Sequence, residues 1–246
     1  MSIVSRQSFD PLELYASAID TSDYVSRVAP LVRRLAADVG ELLDVGAGGG
    51  QLGSVLRDMH RPWSAIEPSP TMRARLSRLH APPRIVPSDW CDADVAAGAH
   101  DSVLAATMPA FFDRTESFLV RCCDWARRNV IWVVPAHHGP RGLCFAGCLP
   151  AEWHGEDETP GIDIVLAALT ALSRPHDIGF VDWTFSGVVS DLDALAAYLC
   201  DRLGWSPADP RRRQLAGHLR AQAQPDAGGY RLEIPRKSAV LVWRRA

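Results

Sequence analysis

The sequence predicts an α/β fold, a parallel sheet with helices on both faces. Three observations predict it. Short apolar runs rich in β-formers alternate with helical patterns between residues 41 and 135, the rhythm of strands joined through crossover helices. One of them, NVIWVVP at 129–135, is apolar almost throughout, as suits a central strand buried on both sides. The chain of 246 residues is long enough to bury one core without covalent staples.

The elements follow in order. Residues 11–19 read as a helix. A second is expected between Pro30 and Gly40, with Leu31, Leu35 and Val39 on one face, proline at its start and glycine just past its end. Strands are expected at 41–45, 64–67, 84–87, 101–106 and 129–135, and helices at 51–59, 71–79 and 115–128. Residues 136–161 form a long stretch rich in Gly, Pro, His and Cys; segments of this length inside a compact domain are usually functional or disordered, and the aromatic content argues against disorder. A helix at 162–172 and a strand at 178–189 come next. Ser190 is placed to cap a helix in which Leu192, Leu195, Leu199 and Leu203 share a face before Gly204 stops it. Asp209-Pro210 opens another, through about Ala223. Residues 230–234 and 238–244 read as two closing strands. There is no internal repeat and no low-complexity segment.

The most informative stretch is ELLDVGAGGGQLG, residues 41–53. Leu42, Leu43 and Val45 make a buried-type strand, Asp44 sits near its end, and Gly46, Gly48, Gly49 and Gly50 lead into a helix. Such a turn lets a ligand approach the backbone closely, because glycine has no Cβ and tolerates positive φ. Counted from Gly46, the spacing is G-x-G-x-G, and Gln51 stands where the dinucleotide fingerprint G-x-G-x-x-G wants its third small residue. Glu67 ends the second strand 21 residues beyond Gly46, near the distance expected of an acid that grips ribose hydroxyls. A carboxylate suits a cis-diol because it is acceptor-only.

Asp44 with Gly46-x-Gly48-x-Gly50 resembles the first motif of the class I S-adenosylmethionine-dependent methyltransferases, an acid, any residue, then G-x-G-x-G. Asp89-Trp90, closing RIVPSDW, resembles the family's adenine contact, in which the acid accepts from the adenine amino group and Trp90 flanks the ring. HDSVLAATMPAFF, residues 100–112, resembles the fourth strand, whose end at Thr107-Met108-Pro109 faces sulfonium and acceptor in that family. The resemblance covers residues 40–135 and fades beyond them. It implies a Rossmann-like seven-stranded methyltransferase sheet and S-adenosyl-L-methionine as cofactor. The cofactor residues are then Asp44, Gly46, Ala47, Gly48, Gly50, Glu67, Pro68, Asp89, Trp90, Thr107 and Met108. It also implies one domain, with a cofactor half at about 30–135, acceptor and cover segments at about 1–29 and 136–230, and a helical cover at 191–223. Within that cover Tyr198 and Trp205 are candidate pocket residues.

His137-His138 opens the long segment after the fifth strand, on the end of the sheet where ligands bind. Either is a candidate general base at an acceptor. Cys144, Cys148 and His154, followed by Glu156, Asp157 and Glu158, are metal-binding residue types, but their spacing fits no standard zinc module, and no metal is expected.

Composition narrows the acceptor. The net charge is −3, and the single lysine is Lys237; the sequence pI is about 6.2. Neither favours a polyanion, and Arg211-Arg212-Arg213 reads as a solvated helix face. The chain has Thr107-Met108-Pro109-Ala110 where nucleic-acid and protein amide methyltransferases often carry an N-P-P-Y type motif. A small-molecule acceptor is expected, with RNA or protein methylation and non-catalytic cofactor binding as the alternatives. The N-terminus MSIVSRQSFD lacks the apolar core of a leader, and no run has the length of a membrane span. A soluble cytoplasmic protein with reduced cysteines is expected, and the oligomeric state is open.

Overall fold

The computed structural model describes residues 9–107, 109–141 and 145–245. Met108, Cys144 and the first eight residues, each part of an expectation above, lie outside the described residues. In chain order the elements begin with α1 (Pro11–Thr21), α2 (Tyr24–Leu35), β1 (Leu42–Val45), α3 (Gln51–Leu56), β2 (Trp63–Ile66) and α4 (Pro70–Leu76). Then come β3 (Arg84–Val86), β4 (His100–Ala106), α5 (Thr115–Trp125), β5 (Ala126–Pro135), α6 (Ala151–His154) and α7 (Gly161–Ala168). The chain closes with β6 (Asp177–Val189), α8 (Leu192–Arg202), α9 (Arg211–Gln222), β7 (Gln224–Asp226) and β8 (Gly229–Arg244).

The chain divides into two compact units. The first holds the residues up to Asp23, Gly139–Glu158 and Thr184–Pro235; the second holds Tyr24–His138, Thr159–Trp183 and the chain from Arg236 onward. The expected cofactor half, 30–135, falls wholly in the second unit.

Seven strands follow the order β3-β2-β1-β4-β5-β8-β6, and β7 pairs with β8 off this path. β1, β2, β3, β4 and β5 run parallel to their neighbours, while β8 lies antiparallel on β5, with Asn129 opposite Arg244 and Pro135 opposite Ser238. Alternation along the strands explains the core. Leu43, Val45, Val103, Ala105 and Trp132 join the cluster formed with Phe118 and Trp125 of α5 and Val165 of α7. Leu42, Leu104 and Ile131, out of phase with them, are buried too. Both faces of the parallel strands are covered, hence their continuous apolar runs. Asp44 belongs to the out-of-phase set.

Several local expectations change. α2 begins at Tyr24, with Pro30 inside it; Val28, Ala29, Leu31 and Val32 are buried together, and that burial carries the helix through the one hydrogen bond a proline removes. The cap of α8 is Asp191, whose carboxylate accepts from the N–H groups of Asp193 at 2.8 Å and Ala194 at 3.1 Å, and not Ser190. The two closing strands are the single β8, which runs through Pro235. The stretch 136–161 contains α6. The cover segment forms α8 and α9, both in the first unit.

Candidate active site

The turn between β1 and α3 is built by short backbone bonds. Gly46 N and Ala47 N both donate to Ile66 O, at 2.7 and 3.3 Å, and Gly50 N donates to Ala47 O at 2.9 Å. Gly46, Gly48 and Gly50 all have positive φ, of 62, 56 and 77°, which side-chain-bearing residues adopt only under strain. Open space lies beside Gly48, where an added Cβ would meet nothing within 4 Å. Beside Gly50 it would press on Leu76 and Leu79.

Glu67 closes this turn from the end of β2. It is 5% exposed, and its two carboxylate oxygens accept from Gly48 N and Ser69 N, each at 2.8 Å. Two backbone donors occupy about half of a carboxylate's roughly four lone-pair sites. The remainder suffices for the two O–H donors of a diol. Arg73 on α4 donates to the carbonyls of Glu67 and Pro68, which holds the strand-to-helix turn; Pro68 itself is exposed.

Asp44 is 3% exposed and is flanked in register by Ala65 and Leu104. Burial, and then the charge of Glu67, push its carboxyl up to about 7. Helix α3 makes room for it with Gly53, where an added Cβ would overlap the Asp44 carboxylate. Sequence reading missed Gly53, and a signal was present. Counted from Gly48, residues 48–53 read G-G-G-Q-L-G, a complete G-x-G-x-x-G whose third glycine serves close helix–strand packing. The glycine spacing therefore does not by itself exclude a dinucleotide.

The other predicted residues fall as follows. Asp89, half-buried after β3, accepts from Cys91 N at 3.0 Å. Trp90 is 6% exposed; its ring packs edge-on against Phe118 at 5.2 Å and under the Arg114 guanidinium at 5.1 Å, so most of its area serves the core. Thr107 ends β4 with φ 55°, an outlier for a β-branched residue. Its N–H donates to Val133 O at 3.1 Å and its hydroxyl to Ala106 O at 2.8 Å.

The histidines differ sharply. His137 is half-buried, with Nδ1 at 3.0 Å from Lys237 O and Nε2 at 2.9 Å from Arg236 Nη1. Arginine can only donate, so Nε2 accepts and Nδ1 carries the proton toward the carbonyl. Burial first, and Arg236 among its neighbours, lower its proton affinity below the ordinary histidine range. The lone pair that a base would use is engaged by Arg236. His138 is exposed.

In the first unit His154 is pinned by Glu156 N, which donates to its Nδ1 at 3.1 Å, and by Glu158, 3.1 Å from its Nε2. These contacts tie together the residues that follow α6. Among the described residues no cluster of three or more His, Cys, Asp or Glu side chains is placed to hold a metal ion. No helix among them is long and apolar enough to cross a membrane.

No family model matches the chain, and no curated protein matches it either. Solved structures do. A candidate methyltransferase from Bacillus halodurans is 12% identical, with 88% of this chain and 97% of that one covered and a TM-score of 0.50. A candidate type II methyltransferase from Anaeromyxobacter dehalogenans is 18% identical, with 89% and 96% covered and a TM-score of 0.50. The YcgJ protein of Bacillus subtilis is 14% identical, with 88% and 97% covered and a TM-score of 0.51. The fold is thus that of class I methyltransferases, and at these identities the likeness speaks for the fold alone.

Proposed function

We propose that the chain is an S-adenosylmethionine-dependent methyltransferase acting on a small molecule. One observation carries the reading. Glu67 closes on the glycine turn at Gly48, in a sheet whose strand beside β5 runs antiparallel. A dinucleotide fold keeps its sheet parallel across that position, in the order 3-2-1-4-5-6. Glu67 would hold the ribose hydroxyls, the backbone at Gly46, Ala47 and Gly48 would lie against the ligand, and Asp89, with what edge of Trp90 is free, would meet the adenine. Asp44 and Thr107 would complete the site at the ends of β1 and β4.

S-adenosylmethionine supplies an electrophilic methyl group on a sulfonium. The chain's part is to align an acceptor with it and keep water out, which can contribute about 7–11 kcal/mol. Where the acceptor is an alcohol or a protonated amine, a base is needed as well, and His138 is the histidine of the pair with an exposed ring. The small-molecule assignment rests on the acidic balance of charge and on Thr107 to Ala110 in place of an N-P-P-Y type motif. Binding to RNA with a steep salt dependence would overturn it.

The second reading, a nicotinamide dinucleotide enzyme, is favoured by the complete fingerprint at 48–53. Calorimetry with S-adenosylmethionine, S-adenosylhomocysteine and NAD separates the two. Binding of the first two without NAD supports the methyltransferase; preferential binding of NAD overturns it.

A further inference from the structure

Two carboxylates lie buried at the ends of adjacent parallel strands, and they are not equivalent. Glu67 is served by two backbone N–H donors, Gly48 and Ser69. Asp44 stands in an apolar position of β1. The strands on either side set Ala65 and Leu104 in register with it, and α3 sets Gly53 against it. Glu67 is the charged group that acts on it. Arg73, the cation anchored at the β2 end, is directed to backbone carbonyls. A like charge and an apolar wall both oppose ionisation.

We propose that Asp44 holds a proton while the site is empty and surrenders it to solvent when a cationic cofactor binds, so that binding is an exchange of one positive charge for another. The proposal rests on the assignment of S-adenosylmethionine to this site. That ligand brings a sulfonium and an α-ammonium, either of which supplies the two buried carboxylates with a counter-charge that no ion pair gives them among the described residues. The protonated Asp44 lets the empty site tolerate the pair, and the ionised one rewards a cation and not a neutral nucleoside. In the empty protein Asp44 titrates near neutrality, so the exchange falls where it affects affinity under ordinary conditions. A site of this kind binds more weakly as the pH falls, because more of the protein then holds the proton that the ligand must displace.

Calorimetry of S-adenosylmethionine binding in two buffers of different ionisation heat measures the exchange directly. A net release of protons is expected, growing as the pH falls from 8 to 6, with affinity weaker at pH 6 than at pH 8. Asp44→Asn should abolish the release and flatten the pH dependence. Heats independent of buffer, or proton uptake, overturn the proposal while leaving the cofactor assignment intact. Absence of S-adenosylmethionine binding removes the assignment itself, and the empty protein then decides the rest. Asp44 retains a proton in the folded chain that it loses in the unfolded one between about pH 4 and 7. Stability attributable to it therefore falls as pH rises through that window and is level above it. Wild type should lose stability relative to Asp44→Asn across the window, and parallel curves would show that Asp44 holds no proton.

Discussion

The ends of β1 and β2 and the end of β5 both present polar side chains on the carboxyl edge of the parallel strands, yet they handle them in opposite ways. After β1 and β2 the backbone supplies the donors. Gly48 and Ser69 serve Glu67 and leave it lone pairs to spare, while Gly53 withholds a side chain so that Asp44 fits. After β5 the chain consumes what it presents. Lys237 O takes the proton of His137, and Arg236 takes its lone pair. The difference teaches that residue type and position nominate a site residue, whereas the partners already bound decide what remains for a ligand.

The largest effect is expected at the end of β5. If His138 is the acceptor base, His138→Ala lowers turnover by about 10²–10⁴-fold with cofactor affinity unchanged. His137→Ala should instead cost stability, about 1 kcal/mol for each hydrogen bond lost, and leave the chemical step near its original rate. The sign with pH follows from the lowered proton affinity of His137. Its contribution is full above the ordinary histidine range near pH 6.5 and is lost as pH falls through the lower, folded-state value. Steady-state rates and thermal melts at pH 5 and 7.5 check this. The reverse pattern, with His137 catalytic and His138 silent, would break the comparison.

An intermediate effect is expected at Glu67. Glu67→Ala removes a charged acceptor and leaves Gly48 N–H without its partner, so cofactor affinity should fall by about 1.5–3 kcal/mol, the scale of hydrogen bonds to charged groups. Calorimetry reads it. Unchanged affinity would mean that Glu67 only shapes the turn, and the two strand ends would then be alike in consuming their own polar groups.

Much of this was legible beforehand, for identifiable reasons. The strands β1 to β5 announce themselves because burial on two faces forces unbroken apolar runs such as VIWVV. The glycine turn and Glu67 were legible because their spacing is fixed by the path from β1 to β2. The α2 start was not, since Pro30 mimics a helix beginning and only packing of Val28 and Val32 reveals the earlier turn. Nor were the occupied nitrogens of His137, because Arg236 and Lys237 lie about a hundred residues away and meet it only through β5 and β8 pairing. Gly53 was in plain view, but counting the fingerprint from Gly46 hid it. Its role depends on where the Asp44 carboxylate points, which spacing does not reveal.

The smallest effect is expected at Thr107, between the two regions on β4. A β-branched residue at φ 55° is strained by about 1–3 kcal/mol, and such strain collects at functional sites when the surroundings over-determine it. Thr107 is fixed from both sides by Val133 O and Ala106 O. Thr107→Gly relieves the strain but gives up the hydroxyl bond and frees the unfolded chain, which costs about 0.5–1 kcal/mol. The net change in stability should therefore lie within about 1 kcal/mol of zero. Thr107→Asn, which tolerates this conformation and retains a polar group, should be the more stable of the two. The informative measurement is affinity set beside stability. If either variant melts no lower than wild type yet binds cofactor more weakly, the strained turn is held for the ligand, and the end of β4 belongs with the ends of β1 and β2. If stability falls and affinity does not, Thr107 is a strand terminus held by its own hydrogen bonds, as His137 is.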